Sequence, residues 1–369
     1  MGKRIGTAHW VESQKRWRID VQKDGKQRSF YSSTPGRKGQ REANEKADLW
    51  LDNGVDGSTK AIIMCDRFIQ SLKDRKTSVD HWGQYEMYLR LYTKPKFGHK
   101  AIGKVTESTL QDIINYAHSI GNDGKGLSKK TLNNIRACLK AFIKFCRIEK
   151  VTNLYPENLR LPNDAKKSQK GALQPNDIKT LFSCDKTLWR GKERKDWYIH
   201  AYRFEAIVGL RPGELIGLDI ADIRDNVCTI KRSINEKGVE TTGKNDNSRR
   251  QFEVPEIGLH EIKEQRKMLL AAGVSTTVLF PDHHGYRLRQ GTYRGNWIRF
   301  RDYNGISPKT PYELRHTFFS ATKELPSDLI KPVGGHSEGF DGENYKHKLD
   351  GDAHRAAVMI DSVFRSILK

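Results

Sequence analysis

The chain reads Tyr312-Glu313-Leu314-Arg315-His316-Thr317 near its C-terminus, followed by Gly335-His336-Ser337 and by Glu343-Asn344-Tyr345. Tyr345 stands nine positions after His336 (345 − 336). A guanidinium suits a phosphate because its planar fork can grip two oxygens and never loses its charge. A phenol, whose pKa is about 10, becomes a nucleophile only when cationic and basic groups surround it. This combination of residues indicates chemistry on a phosphate.

A second motif lies upstream and reads Gly209-Leu210-Arg211-Pro212-Gly213-Glu214-Leu215. The chain resembles the tyrosine recombinases, the integrase family of phages and mobile elements. The resemblance rests on three features in this order: the upstream motif, then Leu-Arg-His-Thr-Phe, then a Gly-His pair followed by a tyrosine. The catalytic resemblance runs from about Ala172 to the C-terminus, and a weaker one covers the rest of the chain. It implies a multidomain architecture that is mainly α with small β-sheets (α+β).

The resemblance implies roles for four residues in joining a tyrosine to a DNA phosphate. Arg211 and Arg315 match the two family arginines, which hold the non-bridging oxygens as the phosphorus becomes five-coordinate. Tyr345 matches the nucleophile, which forms a 3′-phosphotyrosyl bond and frees a 5′-hydroxyl. His336 matches the family's histidine or tryptophan near the attacked phosphate. Because the covalent bond conserves energy, rejoining needs neither ATP nor a metal, and no cofactor is predicted.

A lysine on a hairpin is the family's general acid for the leaving oxygen, and Lys244, within Thr242-Gly243-Lys244-Asn245-Asp246, is the best match. Arg249 and Arg250 are competitors for that assignment, and a solvated hairpin lysine is the structural alternative. Glu214 and His316 are expected to support the arginines from behind. A salt bridge between Arg211 and Glu214 is the alternative to phosphate binding.

The chain departs from the family pattern in two places. Tyr312 stands where the family usually has a histidine, and its high pKa makes it a weak general base. The proton-acceptor role is therefore open, and His336 or water could share it. Arg315 and His336 are also 21 positions apart (336 − 315), a slightly short spacing that is attributed to a trimmed helix turn.

Residues 1–57 are predicted to form an arm-type DNA-binding domain, a small sheet with a helix. Arg16 to Val21 alternates apolar and polar residues, Asp24-Gly25 favours a hairpin turn, and residues 40–51 suit a helix over one face. The opposite face is expected to bind DNA through five basic residues, with a merely solvated face as the alternative. These are Lys15, Arg16, Arg18, Lys26 and Arg28.

Residues 58–160 are predicted to form a helical core-binding (SAM-like) domain. Apolar residues recur at helical spacing in four segments, and Ser128 is a suitable N-cap for the fourth. Lys129 and Lys130, directly after that cap, are predicted DNA contacts. The aromatic residues Trp82, Tyr85 and Tyr88 are interpreted as core rather than as residues that stack on bases.

Residues 161–171 are predicted to be a linker, rich in Lys and Ser, and 172–369 the catalytic domain. Within that domain Pro212 suits the first position of a helix, and Cys228–Ile230 and Arg250–Pro255 indicate strands. Apolar residues from Ala356 to Leu368 predict a terminal helix. In the family such a helix often docks on the neighbouring subunit (an exchange helix), and packing on its own domain is the alternative.

Composition limits the partners. The chain has 369 residues and a net charge of +21, which points to a polyanion, although a merely basic protein or a membrane-surface binder has the same charge. No apolar run approaches the ~18 residues of a membrane span. The five cysteines are scattered without a CxxC pair, so neither a zinc ribbon nor a disulfide framework is indicated. A cytoplasmic, nucleoid-associated protein is expected.

The predicted function is site-specific recombination by an integrase that acts as a homotetramer on double-stranded DNA with core- and arm-type attachment sites. Excision or host accessory factors are possible partners. A type IB topoisomerase-like enzyme that relaxes DNA is one alternative, and an inactive integrase-derived DNA-binding regulator is another. A metal-dependent nuclease built on His283 and His284 lacks suitable ligand spacing.

Overall fold

The computed structural model describes residues 4–23, 25–167, 170–241, 249–335 and 350–369, without the side chains of Lys26 and Asn53. The chain divides into two compact units, Met1–Gln169 and Lys170–Lys369. It is mainly α with small antiparallel sheets, as the sequence predicts. No helix of the described residues is long and apolar enough to cross a bilayer.

The first unit begins with a three-stranded antiparallel sheet under one helix: β1 His9–Val11, β2 Arg16–Lys23, β3 Lys26–Ser32 and α1 Gly36–Asn53. Alternation along β2 turns Ile19 and Val21 toward α1, where they join Phe30 and Trp50 in a buried cluster. Arg16 and Arg18 alternate with them, and their guanidinium carbons lie 3.9 and 6.0 Å from the Tyr31 ring centre.

Among the described side chains of the sheet, that of Arg28 does not lie where the sequence pattern placed it. Arg28 pairs in register with Val21, so its side chain lies on the helix-covered side of the sheet rather than beside Arg16 and Arg18. There its Nη1 forms a salt bridge with Asp56 at 3.1 Å. The prediction of one continuous basic face that includes Arg28 is therefore wrong, because the register of β2 and β3 decides the face.

The rest of the first unit is a helical bundle: α2 Ala61–Asp74, α3 Val79–Tyr88, α4 Lys94–Phe97, α5 Glu107–Ile120 and α6 Lys129–Ile148, with a π-helical turn over Leu89–Thr93. Ser128 caps α6 by accepting a hydrogen bond from the Thr131 amide at 3.2 Å, as predicted. Tyr88 is buried and Trp82 and Tyr85 pack against the same core. This cluster extends to Ala165, so part of the 161–171 segment packs on the bundle.

The second unit packs its helices around one apolar core. Its helices are α7 Pro175–Ser183, α8 Ile199–Val208, α9 Pro212–Gly217, α10 Glu256–Ala271, α11 Gln290–Tyr303, α12 Pro311–Ala321, α13 Ser327–Gly334 and α14 Asp352–Leu368. Its strands are β4 Lys186–Trp189, β5 Lys192–Lys195, β6 Ile223–Arg224, β7 Val227–Ile230, β8 Ser233–Ile234, β9 Glu240–Thr241 and β10 Arg250–Glu253. Strands β10, β7 and β6 form one antiparallel sheet, and β4–β5 and β8–β9 are hairpins.

The terminal helix α14 packs on its own unit. Ile360 and Phe364 are buried in the core, and the Asp361 carboxylate accepts a hydrogen bond from the Ile257 amide, at the start of α10, at 2.7 Å. A carboxylate at a helix N-terminus is favourable because unpaired amides point toward it. An exchange with a neighbouring subunit would require α14 to leave this core, and the exchange role stays a prediction.

Candidate active site

Arg211 lies at the junction of two helices. Helix α8 ends at Gly209, whose φ of +64° and whose contact with the Phe318 ring leave no room for a side chain. Pro212 then opens α9 with a preset φ, and Arg211 takes the N-cap position. Its backbone amide donates to Glu214 Oε2 at 3.0 Å and its Nη1 donates to Oε1 at 2.6 Å. The side chain remains 36% exposed.

Glu214 is a buried carboxylate held by two arginines. Besides the bonds from Arg211, it accepts hydrogen bonds from Arg250 Nη1 at 3.2 Å and Nη2 at 3.0 Å. Burial alone would raise the pKa of Glu214, but the hydrogen bonds and charges of Arg250 and Arg211 more than offset burial and lower it. The carboxylate is therefore ionised and ties the two guanidinium groups together.

Arg315 projects from α12 into the unit and is 1% exposed. Its Nη1 donates to the Gly209 carbonyl at 2.7 Å and to the Gly334 carbonyl. Burial, and next the charge of Arg211, lower the pKa of Arg315 to about 10. The group still carries its proton at neutral pH, so the site keeps a second fixed positive charge close to Arg211.

The arginines meet at the end of α13. Arg211 Nη2 donates to the Gly335 carbonyl at 3.0 Å, and Arg315 donates to the carbonyl before it, Gly334. The last carbonyls of a helix lack partners within the helix and carry partial negative charge, which suits guanidinium donors. Gly335 has φ of +67° and directly precedes His336 in the chain. The two family arginines thus converge on the segment that leads to the predicted histidine.

A third arginine belongs to this cluster although the sequence offered it only as a competitor for Lys244. Arg250 begins β10, its side chain is 7% exposed, and its Nε donates to the Val333 carbonyl at 2.9 Å. The register of β10 against β7 explains the burial of Arg250, because this arginine pairs with Ile230, a core residue of β7. The neighbouring Arg249 is exposed.

Tyr312 and His316 lie one turn apart on α12 with ring centres 5.3 Å apart. Tyr312 is 40% exposed, and Lys170 Nζ lies 4.9 Å from its ring centre. His316 Nε2 is buried without a hydrogen-bond partner among the described residues. Burial and then the charge of Lys170 lower the pKa of His316, so its imidazole is neutral at pH 7.

Three predicted catalytic residues, Lys244, His336 and Tyr345, lie outside the described residues. Of the predicted DNA contacts, Lys15 is exposed and Arg18 pairs with Asp20 at 3.1 Å, while Lys129 and Lys130 occupy the first turn of α6. Within the described ranges, no group of three His, Cys, Asp or Glu residues could hold a metal ion. The His283 ring instead packs on Trp197, with centres 4.5 Å apart.

Comparison with known proteins places this geometry in a family. Residues 172–351 match the phage integrase family. A comparison with curated protein sequences gave no significant match.

Solved structures share the fold at low identity. A Tn1549 transposon integrase bound to a circular intermediate DNA is 20% identical with a TM-score of 0.65, covering 81% of this chain and 98% of that one. A lambda integrase tetramer bound to a Holliday junction is 15% identical with a TM-score of 0.55, covering 95% of this chain and 99% of that one. The fold is that of a tyrosine recombinase. The domain formed by residues 172–351 belongs to the phage integrase family.

Proposed function

We propose that this protein is a site-specific recombinase of integrase type that cleaves and rejoins DNA through a 3′-phosphotyrosyl intermediate, and so integrates or excises a phage or mobile element. One observation carries the proposal: Arg211 and Arg315, far apart in sequence, donate to adjacent carbonyls at the end of α13. Two fixed guanidinium groups suit a phosphate whose negative charge grows as the phosphorus becomes five-coordinate.

In the proposed reaction the Tyr345 oxygen bonds to the phosphorus and the bond from phosphorus to the 5′-oxygen breaks. The phenolic proton passes to His336 or water, because Tyr312 is a poor acceptor near neutral pH. Lys244 returns a proton to the departing 5′-oxygen. The reverse sequence, with a 5′-hydroxyl as nucleophile, rejoins a strand and releases the tyrosine.

We further propose that the protein acts in the cytoplasm as a homotetramer on core- and arm-type attachment sites. The net charge of +21 supports a duplex partner, and the structurally similar lambda integrase was solved as a tetramer on a Holliday junction. Lys129 and Lys130 place positive charge beside the positive end of the α6 dipole, an arrangement that an anionic partner stabilises. Accessory factors would set the direction of the reaction.

The decisive experiment traps the covalent intermediate. A pool of nicked duplexes with a randomised core is incubated with the full chain without Mg²⁺, and denaturant-resistant adducts are sequenced. The nick makes the fragment that carries the freed 5′-hydroxyl short enough to diffuse away. Without this hydroxyl the strand cannot be rejoined, so the adduct accumulates. We expect enrichment of one sequence, here called the selected duplex, and loss of the adduct in Tyr345→Phe with binding retained.

The alternatives give different results in the same assay. An enzyme that relaxes plasmids and forms adducts without sequence enrichment would be a topoisomerase. Sequence-specific binding with no adduct at any duplex would indicate an inactive regulator. An adduct that persists in Tyr345→Phe would remove Tyr345 as nucleophile, and Tyr303→Phe, a matched control at an exposed tyrosine of the same unit, should leave the adduct intact.

A further inference from the structure

The Arg250 guanidinium donates hydrogen bonds on two sides, to a carboxylate and to a backbone carbonyl, whereas an exposed arginine is mainly solvated by water. Its Nη1 and Nη2 donate to the two oxygens of Glu214 at 3.2 and 3.0 Å, and its Nε donates to the Val333 carbonyl at 2.9 Å. Burying a guanidinium costs free energy that only good partners offset. The fork-to-fork geometry makes this arginine specific, since a lysine cannot donate to both oxygens and the carbonyl in the same way.

Arg250 also completes a series at the end of α13. Arg250, Arg315 and Arg211 donate to the consecutive carbonyls of Val333, Gly334 and Gly335. A Cβ atom at residue 335 would lie 2.5 Å from Arg250 Nη1, so only glycine permits this close packing. The three guanidinium groups therefore hold the end of α13, and the Glu214 carboxylate links those of Arg211 and Arg250.

The charges of the cluster show what Arg250 adds. Arg211, Arg250 and Arg315 supply three positive charges and Glu214 one negative charge, a net of +2. Without Arg250 the net falls to +1, and both oxygens of Glu214 would face Arg211 alone. A buried carboxylate with one partner competes with a phosphate for that partner.

We propose that Arg250 is a positioning residue for phosphodiester cleavage, which anchors Glu214 and the end of α13 so that Arg211 is presented to the phosphate in a fixed orientation. The proposal rests on the proposed function of the site. Arg250 acts through Glu214 and Arg211, and it does not itself contact the reacting atoms. Its loss should slow the cleavage of bound DNA more than it weakens DNA binding.

The test uses the full chain and the selected duplex, with the dissociation constant and the single-turnover rate of adduct formation measured separately. We expect Arg250→Gln to bind within about threefold of wild type and to form adduct roughly 100-fold more slowly, since misplacing a positioning group by about 1 Å can cost that much. Arg250→Lys, which restores charge but not the fork, should recover part of the rate. Arg224→Gln, which removes the same charge at an exposed position on β6 of the same sheet, should form adduct within about twofold of wild type.

A double-mutant cycle separates positioning from simple support of the fold. If Arg250 acts through Glu214, Arg250→Gln should slow adduct formation much less in a Glu214→Gln background than in wild type. Additive losses in the cycle, or losses in rate that only follow losses in thermal stability, would overturn the proposal. If Arg250→Gln does not fold, Arg250→Lys decides: a wild-type rate overturns the proposal and a slowed rate at wild-type affinity supports it. A wild-type protein that forms no adduct would instead refute the proposed function.

Discussion

Arg315 shows at the residue scale how the site keeps its charge without solvent. Burial lowers its pKa to about 10, which still leaves it protonated at neutral pH. Carbonyl oxygens of Gly209 and Gly334 replace the water that it loses. Donors that are already oriented need no rearrangement when charge develops on a phosphate, and this preorganisation is a large part of electrostatic catalysis.

Glu205 lies close enough to Arg315 to feel its charge, and it gives a prediction about how stability depends on pH. It is fully buried, and Tyr293 OH donates to its Oε2 at 2.6 Å. Burial raises the pKa of Glu205 well above its ordinary value, although the hydrogen bond from Tyr293 and the charge of Arg315 oppose the shift. The folded state therefore holds a proton that the unfolded chain loses above pH ~4.3, and stability falls as pH rises through the pKa of the folded state.

Glu205→Gln cannot titrate, so its free energy of unfolding relative to wild type should increase from pH 5 to pH 8. Each unit of raised pKa corresponds to about 1.4 kcal/mol. Urea unfolding at the two pH values measures the difference. Glu324→Gln, at a side chain that is 85% exposed, is the control and should show no such trend. Equal differences at both pH values for Glu205→Gln would mean that Glu205 is ionised when folded.

At the scale of elements, the packing of α14 on the second unit can be tested through one buried side chain. Phe364 is fully buried, and its ring centre lies 6.4 Å from that of Phe182 on α7. Phe364→Ala should lower the free energy of unfolding by roughly 3–5 kcal/mol, because it removes a large side chain and leaves a cavity.

Urea unfolding checks this value, with Val358→Ala on the same helix as the control. Val358 is 53% exposed, and its truncation should cost about 0.5 kcal/mol or less. Equal effects of the two substitutions would show that Phe364 is not buried in solution, which would contradict the packing of α14 on its own unit.

The elements that the sequence predicted well are those with a local signal. Ser128 caps α6 and Pro212 opens α9 because each depends only on its own few neighbours. The β4–β5 hairpin was missed because β5, Lys192–Lys195, is charged and exposed throughout, so it lacks the alternation that marks a strand.

Contacts between residues that are distant in sequence were harder to predict at the site. Arg211 and Arg315 could be named from motifs, whereas nothing local distinguishes Arg250 from Arg249. The partner of Arg250, Glu214, is 36 positions away, so its burial depends on strand register and tertiary packing. The same holds for Arg28, which register turned away from the other arginines of its sheet.

At the scale of the whole molecule, the net charge of +21 supports binding to DNA, and the number of phosphates that the protein neutralises would set how this binding responds to salt. A protein that neutralises about 6–10 phosphates loses roughly 10³–10⁵ in affinity between 50 and 200 mM salt. We expect binding of the selected duplex to fall in this range, measured by fluorescence anisotropy against salt concentration.

The double variant Lys129→Ala/Lys130→Ala should reduce the slope of log affinity against log salt by about 2. Lys323→Ala, at a lysine that is 71% exposed in the second unit, is the control and should leave the slope unchanged. A slope that the double variant does not alter would place the DNA away from the start of α6.

The cluster at the end of α13 also bears on when the site can form during synthesis of the chain. Its guanidinium groups come from residues 211, 250 and 315, and the carbonyls that gather them come last, at 333–335. A nascent chain still on the ribosome has made the arginines before it has made the oxygens that align them. The arginine cluster can therefore form only after the chain has been made as far as residue 335.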